Sequence, residues 1–580
     1  MFKKKERLTK ALTTDFELNL KENIIPWQIY PRPQLKRDSY ICLNGQWDFE
    51  VCNNGGITYK GKITVPFVPE SRISGVNTEI KKDDILVYKK DFVLPEDFIM
   101  DRVILNFGAV DQYCKVFVNG EFVGENKGGY LSFSFDITEF LNGETNSLKV
   151  EVKDPLDKEL PYGKQTENPS GMWYTKISGI WQTVWLESVP ENHIKNIKIT
   201  PSSDSVKISV NASGEKQITV FVESGNIVKN FNSKEIEIKI DNPVSWTPEN
   251  PYLYNFTVTA GEDRVESYFA LRTVEIKEFE DRKYICLNGK PYFFNGLLDQ
   301  GYFSDGIFLP ATEEGYKNDI LKSKELGFNT LRKHIKTEPD LFYYYCDKYG
   351  MIVFQDFINS GKYSFMIDTA LPTVFMKKGI THKASLLRRA EFIKTGVGII
   401  ASLYNHPSVC YYTVFNEGWG QFCADEMYNY FKPLDKTRIF DTTSGWFKEN
   451  LSDVESEHVY FRKIKLMPKK RPLILSEFGG YSYKVKDHIF NICGNYGYGV
   501  FKTREEFENA FVKLYEEQII PAVKNGLNGA VYTQVSDVED ETNGILTYDR
   551  KVLKLNPETT TELFRKLYNE FYGLQALQGE

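Results

Sequence analysis

Two regimes of hydrophobic patterning divide the chain. From about residue 38 to 275, short runs alternate apolar and polar side chains between Asn, Gly, Pro and Asp, a period of two that predicts half-buried strands and all-β packing. Asn-Gly pairs recur at Leu43-Asn44-Gly45, Val118-Asn119-Gly120 and Leu287-Asn288-Gly289. Both residue types tolerate positive φ, so each pair is expected to close a tight hairpin. Val189-Pro190-Glu191-Asn192 breaks the pattern near residue 190, and the stretch from there to about Thr273 suits one further small sandwich.

After about residue 290 the pattern changes to short apolar runs alternating with long amphipathic ones, which predicts βα units on a parallel sheet. Candidate strands cover residues 292–297, 328–332, 351–356, 409–416, 438–442, 457–460, 472–477 and 529–534, and candidate helices 313–326, 338–349, 382–403 and 504–523. Eight strands separated mostly by helices fit a (β/α)8 barrel. Long connections at 357–381 and 478–502 follow the third and seventh strands, so the pocket is expected on the strands' carboxyl-terminal face.

Composition narrows the function classes. The 580 residues carry 72 Lys and Arg against 79 Asp and Glu, a net charge of −7. That balance lacks the basic excess that nucleic acid or an anionic membrane surface requires. No apolar run reaches membrane-spanning length, and the N-terminus has no secretory h-region, so a cytoplasmic protein is expected. The eight cysteines are scattered without a CxxC pair, as befits small buried hydrophobes. HExxH, Walker and GxSxG motifs are absent.

The chemistry concentrates at two strand ends. Val409 to Phe415 is an apolar run that stops at Asn416-Glu417, and Pro472-Leu-Ile-Leu-Ser runs into Glu477-Phe-Gly-Gly. Two carboxylates at one barrel mouth lose solvation that folding alone gives no reason to forgo, and paired carboxylates are the apparatus of glycoside hydrolysis. Asp299 and Gln534, at the ends of the first and eighth strands, are further polar candidates at the mouth. Trp419, Trp446 and Tyr481, on mouth-facing loops, are candidates for stacking on sugar faces or for packing beneath the loops.

Taken in order, Leu43-Asn-Gly-Gln-Trp47-Asp-Phe, Gly179-Ile-Trp181-Gln-Thr-Val-Trp185, Phe328-Asn-Thr-Leu-Arg332, Asn405-His406-Pro407, Asn416-Glu417 and Glu477 resemble glycoside hydrolase family 2, the family of β-galactosidases, β-glucuronidases and β-mannosidases. The resemblance covers about residues 35 to 575. It implies a multidomain β and α/β chain: an extension (1–34), a jelly-roll sugar-binding-like sandwich (35–189), an immunoglobulin-like sandwich (190–275) and a TIM-barrel catalytic domain (276–580). It further implies a retaining exo-β-glycosidase with Glu477 as nucleophile, Glu417 as acid/base, Asn416 on the sugar's 2-hydroxyl, Tyr460 on the nucleophile and Arg332 holding that nucleophile ionised. His334 and His458 are carried as substrate-binding candidates, each with a structural hydrogen-bonded alternative.

A carbohydrate is the expected partner, with no nucleic acid or membrane and with homo-oligomerisation left open. No cofactor is required, although some family members use magnesium. The acidic run Asp537-Val-Glu539-Asp540-Glu541 invites a cation but lacks EF-hand spacing, and a solvated loop is the alternative. No Asn-x-Lys pair follows Glu477, whereas the family's β-glucuronidases carry one, so a neutral sugar, first a β-galactoside, is expected. A glucuronide or galacturonide would need another cation, such as Lys362 or Arg462, and a galactofuranoside stays open. The readings from other classes are a non-catalytic carbohydrate-binding protein and an interaction scaffold.

Overall fold

The structure, a computed structural model, describes residues 8–20, 24–214, 217–370, 383–460, 462–494 and 496–576. In the first sandwich a six-stranded antiparallel sheet faces a four-stranded one. Strict alternation builds it: in Gly45–Asn53, Trp47, Phe49 and Val51 point into the core while Gln46 and Asp48 face water. A second sandwich packs three strands against four between Ile194 and Phe269, around Ile208, Val220, Phe256 and Phe269.

Asn119-Gly120 and Asn288-Gly289 close hairpins with φ of 52° and 86°, and of 52° and 79°. Leu43-Asn44-Gly45 does not. There the chain crosses from Tyr40–Cys42 in one sheet to Gly45–Asn53 in the other. The buried Asn44 amide holds the crossing by donating to Trp27 O and accepting from Val184 N–H.

The barrel strands are β1 (Phe294–Asp299), β2 (Thr330–Lys333), β3 (Ile352–Asp356), β4 (Val409–Asn416), β5 (Ile439–Ser444), β6 (Glu455–Val459), β7 (Leu473–Gly479) and β8 (Leu527–Thr533). All run parallel in the order β5-β4-β3-β2-β1-β8-β7-β6. The β5/β6 seam has no ladder and is bridged instead by Asp453 N–H to Phe440 O and by Ser456 Oγ to Thr443 O. Phe294, Phe354, Tyr411 and Ile474 fill the lower interior, with Phe354 stacked on Tyr411 at 4.2 Å.

Helices α1 (Glu314–Glu325), α2 (Asp340–Tyr349), α3 (Leu386–Leu403), α4 (Ala424–Phe431), α5 (Arg504–Leu514) and α6 (Pro557–Ala576) follow β1, β2, β3, β4, β7 and β8. Among the described residues no helix follows β5 or β6, where the chain returns through turns and extended segments. His382, the expected start of α3, lies outside the described residues, as do 371–381 of the long loop after β3. Among the described residues no helix is long and apolar enough to cross a membrane. Of the eight cysteines, Cys493 is exposed and departs from the expected burial.

Trp246 ties the second sandwich to the barrel: it is fully buried, and its indole N–H donates to Asp347 O at 2.8 Å on α2. Trp246→Ala is expected to cost about 3–5 kcal/mol of stability through the cavity it leaves, read as a lower urea midpoint of the barrel transition with secondary structure intact beforehand.

Candidate active site

Five charged or polar side chains, from the carboxyl ends of β3, β4, β5, β6 and β7, meet around one guanidinium supplied by β2. Arg332 on β2 is 1% exposed. Its Nε donates to Asp356 Oδ1 (3.0 Å), one terminal nitrogen to Glu477 Oε1 (3.0 Å) and Ser476 O (3.0 Å), and the other to Asn416 Oδ1 (2.8 Å) and Ser444 Oγ (3.1 Å). Burial alone would raise the Glu477 carboxyl; the Arg332 guanidinium, with Lys164 farther off, outweighs it and holds the group well below the usual carboxylate range. Tyr460 donates to its other oxygen at 2.6 Å. Glu477 therefore stands ionised and held at both oxygens.

Glu417, the residue after β4, is oriented differently. Its backbone has φ of 52°, a left-handed conformation uncommon for a side-chain-bearing residue, and its N–H donates to Ser444 O. Gly445 passes so close that a Cβ there would lie 3.3 Å from Glu417 Cγ and 3.1 Å from His458 Nδ1. His458 Nδ1 lies 2.8 Å from Glu417 Oε1, and its Nε2 lies 3.3 Å from an Arg332 nitrogen. A guanidinium only donates, so Nε2 accepts and the Nδ1–H goes to Glu417. Glu417, His458 and Glu477 each place a polar atom within 4.8 Å of the others.

These carboxylates open into a cavity of about 390 Å³, whose wall also includes His334, Tyr460 and Trp446. His334 bonds Asp356 Oδ2 through Nδ1 at 2.7 Å, and burial and Lys164 push its pKa down to about 4. Arg332, Asn416 and His458 stand behind the wall and brace it. Four candidates lie elsewhere. Asp299 is a buried partner of Lys333 (2.6 Å). Gln534, fully buried, bonds Gln300, Glu541 and Asn543. Trp419 donates to Gly361 O and packs edge-on beneath Trp173 and Tyr363. Tyr481 packs against Phe501, away from the cavity.

Patterning along the barrel did not reveal the share of the wall that comes from the first sandwich. Residues 164–175 cross the mouth and place Lys164, Met172 and Trp173 on it, beside Gln300, Tyr363, Tyr496, Tyr498 and Glu541. The segment is tied to the loop after β8: Thr175 N–H donates to Glu539 Oε1, Gly171 N–H to Asp540 Oδ2 and Tyr174 OH to Glu541 Oε2. The acidic loop is thus buried and dispersed over separate partners, with Asp537 on Lys554 at 2.6 Å, rather than solvated or converging on a cation. Among the described residues the one cluster with metal-ligand spacing is Glu417, His458 and Glu477 itself.

Two β-sandwiches ahead of a (β/α)8 barrel with an acidic pair at its mouth define a class of multidomain barrel proteins. The family is specific: residues 33–190 match the sugar-binding domain of glycosyl hydrolases family 2, 186–272 the family's second domain and 275–571 its TIM-barrel domain, so the chain belongs to glycoside hydrolase family 2. It is 32% identical over 295 residues to a β-galactosidase of Thermoanaerobacter pseudethanolicus, covering 46% of this chain and 39% of that protein. To a β-galactosidase of Priestia megaterium it is 24% identical over 506 residues, covering 79% and 46%. The chain spans less than half the length of these relatives. Its fold matches a β-glucuronidase of an uncultured Clostridium sp. (TM-score 0.71, 17% identity, 92% of this chain and 99% of that one). It also matches a β-galacturonidase from Eisenbergiella tayi bound to galacturonate (TM-score 0.69, 19% identity, 93% and 99%).

Replacing Arg332 by Met removes a principal cation holding Glu477 ionised. The pKa of that carboxyl should rise, and the acid limb of the kcat/KM profile should move to higher pH while the alkaline limb stays in place. A pH–rate series on the two proteins reads the difference.

Proposed function

We propose that the protein is a retaining exo-β-glycosidase that acts through a covalent glycosyl-enzyme intermediate. The observation that carries this is the closeness of the two carboxylates: one oxygen of each within 4.8 Å leaves no space for a water between Glu477 and a bound sugar. Inverting pairs stand about 6.5–9.5 Å apart to hold that water. The walled cavity, capped by the first sandwich, suits a chain end rather than a polymer's interior.

In this reading a Glu477 oxygen attacks the anomeric carbon as the bond to the aglycone oxygen breaks, and Glu417 delivers the proton that the departing oxygen takes. Water then attacks the same carbon, gives its proton to Glu417 and releases Glu477. Arg332 and Tyr460 keep Glu477 deprotonated and aimed, while His458 fixes Glu417 Oε1 and leaves Oε2 for the cavity. Two carboxylates and one proton supply the charge the reaction needs, so chelation is expected to leave most activity in place. A β-galactoside is the substrate class we favour, supported by relatives named β-galactosidase. The cations that sequence reading offered to a uronide do not line the cavity: Lys362 lines a separate cleft and Arg462 is exposed.

Glu477→Ala should abolish turnover of every aryl β-glycoside. Glu417→Ala should keep substantial glycosylation with dinitrophenyl leaving groups, lose on the order of 10²–10⁴-fold with basic ones, and recover with azide. The first product seen by NMR should be the β-anomer. Equal, unrescued losses would remove the division of roles, and a carbohydrate-binding protein without activity would show neither.

A further inference from the structure

The cavity wall contributed by Lys164, Gln300, His334 and Glu541 has a donor–acceptor inventory that selects among sugars. Lys164 is partly exposed and lines the cavity, and among the described residues its ammonium has no hydrogen-bond or ion-pair partner; it lies 5.8 Å from the centre of the Tyr174 ring. Glu541 takes bonds from Tyr174 OH (2.9 Å) and Gln534 Nε2 (2.6 Å), both on Oε2, which leaves Oε1 to the cavity. Gln534 Nε2 is thereby committed to acceptors, so its Oε1 must accept from Gln300 Nε2 at 2.8 Å. That fixes the Gln300 amide and leaves its Oε1, in a residue only 4% exposed, an unmet acceptor. His334 gives its Nδ1–H to Asp356, so Nε2 of the neutral ring is a further acceptor. The wall offers one cationic donor and three acceptors.

A carboxylate only accepts. It could use Lys164 but would leave Gln300 Oε1, Glu541 Oε1 and His334 Nε2 unmet, and would place a third negative charge beside Glu541 and Glu477. Hydroxyls both donate and accept, so two on one ring can take the Lys164 donor and supply protons to the acceptors.

We propose that Lys164 of the first sandwich and Glu541 of the loop after β8 read two hydroxyls of a neutral sugar ring, which makes the first sandwich part of the specificity pocket. This rests on the glycosidase reading above. The field of Lys164 also pulls Glu477 and His334 down and opposes the rise that burial gives Glu541, as a cation on this wall must.

The test uses the full chain, wild type and Lys164→Met, with Lys164→Arg as the variant that keeps the charge. Substrates are dinitrophenyl β-galactoside, its 3-, 4- and 6-deoxy analogues and the β-galacturonide and β-glucuronide. The wild type should prefer the neutral galactoside. Lys164→Met should lose about 10- to 100-fold in kcat/KM on it, the scale of one charge-assisted hydrogen bond, and much less on the analogue lacking the hydroxyl that Lys164 reads. A wild-type preference for a uronide that Lys164→Met abolishes would overturn the proposal, because the lysine would then read a carboxylate. Equal losses on every substrate would overturn it too, since the lysine would act only through Glu477 or the fold. Labelling of Glu477 by a 2-deoxy-2-fluoro glycoside reports the glycosidase reading separately. Labelling with sugar preferences unmoved by Lys164 sinks only this inference, whereas no labelling and no turnover sinks both.

Discussion

A single buried guanidinium organises the barrel mouth. Arg332 is buried away from water, so each N–H must find an acceptor, and those acceptors arrive from the ends of β3, β4, β5, β6 and β7. The requirement runs both ways. Asp356, Glu477 and Asn416 are buried polar groups that stay in place because this cation meets them. Removing either side leaves an uncompensated charge, and the strand ends, although separately hydrogen-bonded in their ladders, lose their common register at the mouth.

Around that centre the two glutamates are made unlike. Glu477 sits between the Arg332 guanidinium and a tyrosine hydroxyl, which hold it as an anion. Glu417 sits on a left-handed residue, supported by a ring nitrogen and crowded by Gly445. On the proposed mechanism, it is this difference in environment, rather than in residue type, that separates nucleophile from proton carrier. His458 links them, facing one carboxylate with each nitrogen, at 2.8 Å and 3.6 Å.

The barrel was legible because several of its strands, β3, β4 and β7 above all, are apolar runs that stop abruptly in polar or charged residues; each of the eight candidate runs overlaps an observed strand. Helices after β5 and β6 are lacking because those returns carry turn residues and an exposed basic run in place of an amphipathic stripe. Within the mouth, Glu417, Glu477, His334, Tyr460 and Trp446 reach the cavity from positions at or just beyond strand ends, which local pattern marks. Asp299 and Gln534 share that position yet face buried partners, because Lys333 and Glu541 are stronger claims than the cavity. Lys164 and Glu541 were not singled out. Their meeting depends on a contact between segments far apart in sequence, and neither has a local signature beyond its charge. The acidic loop read as solvated for a related reason: its partners are distant in sequence, three of them in the first sandwich and others, such as Asn491 and Lys554, elsewhere in the barrel.

The Tyr174–Glu541 bond spans 367 residues of sequence. At ordinary rates of synthesis, about 5–20 residues per second, the two partners leave the ribosome roughly 20 to 70 seconds apart. The first sandwich has its own core and can fold early, yet the segment it lays over the mouth must wait, hydrated and unanchored, for the acidic loop. A half-made chain would thus hold a finished sandwich with nothing to cap. The pocket comes into being only when a loop made 367 residues later closes onto an earlier one.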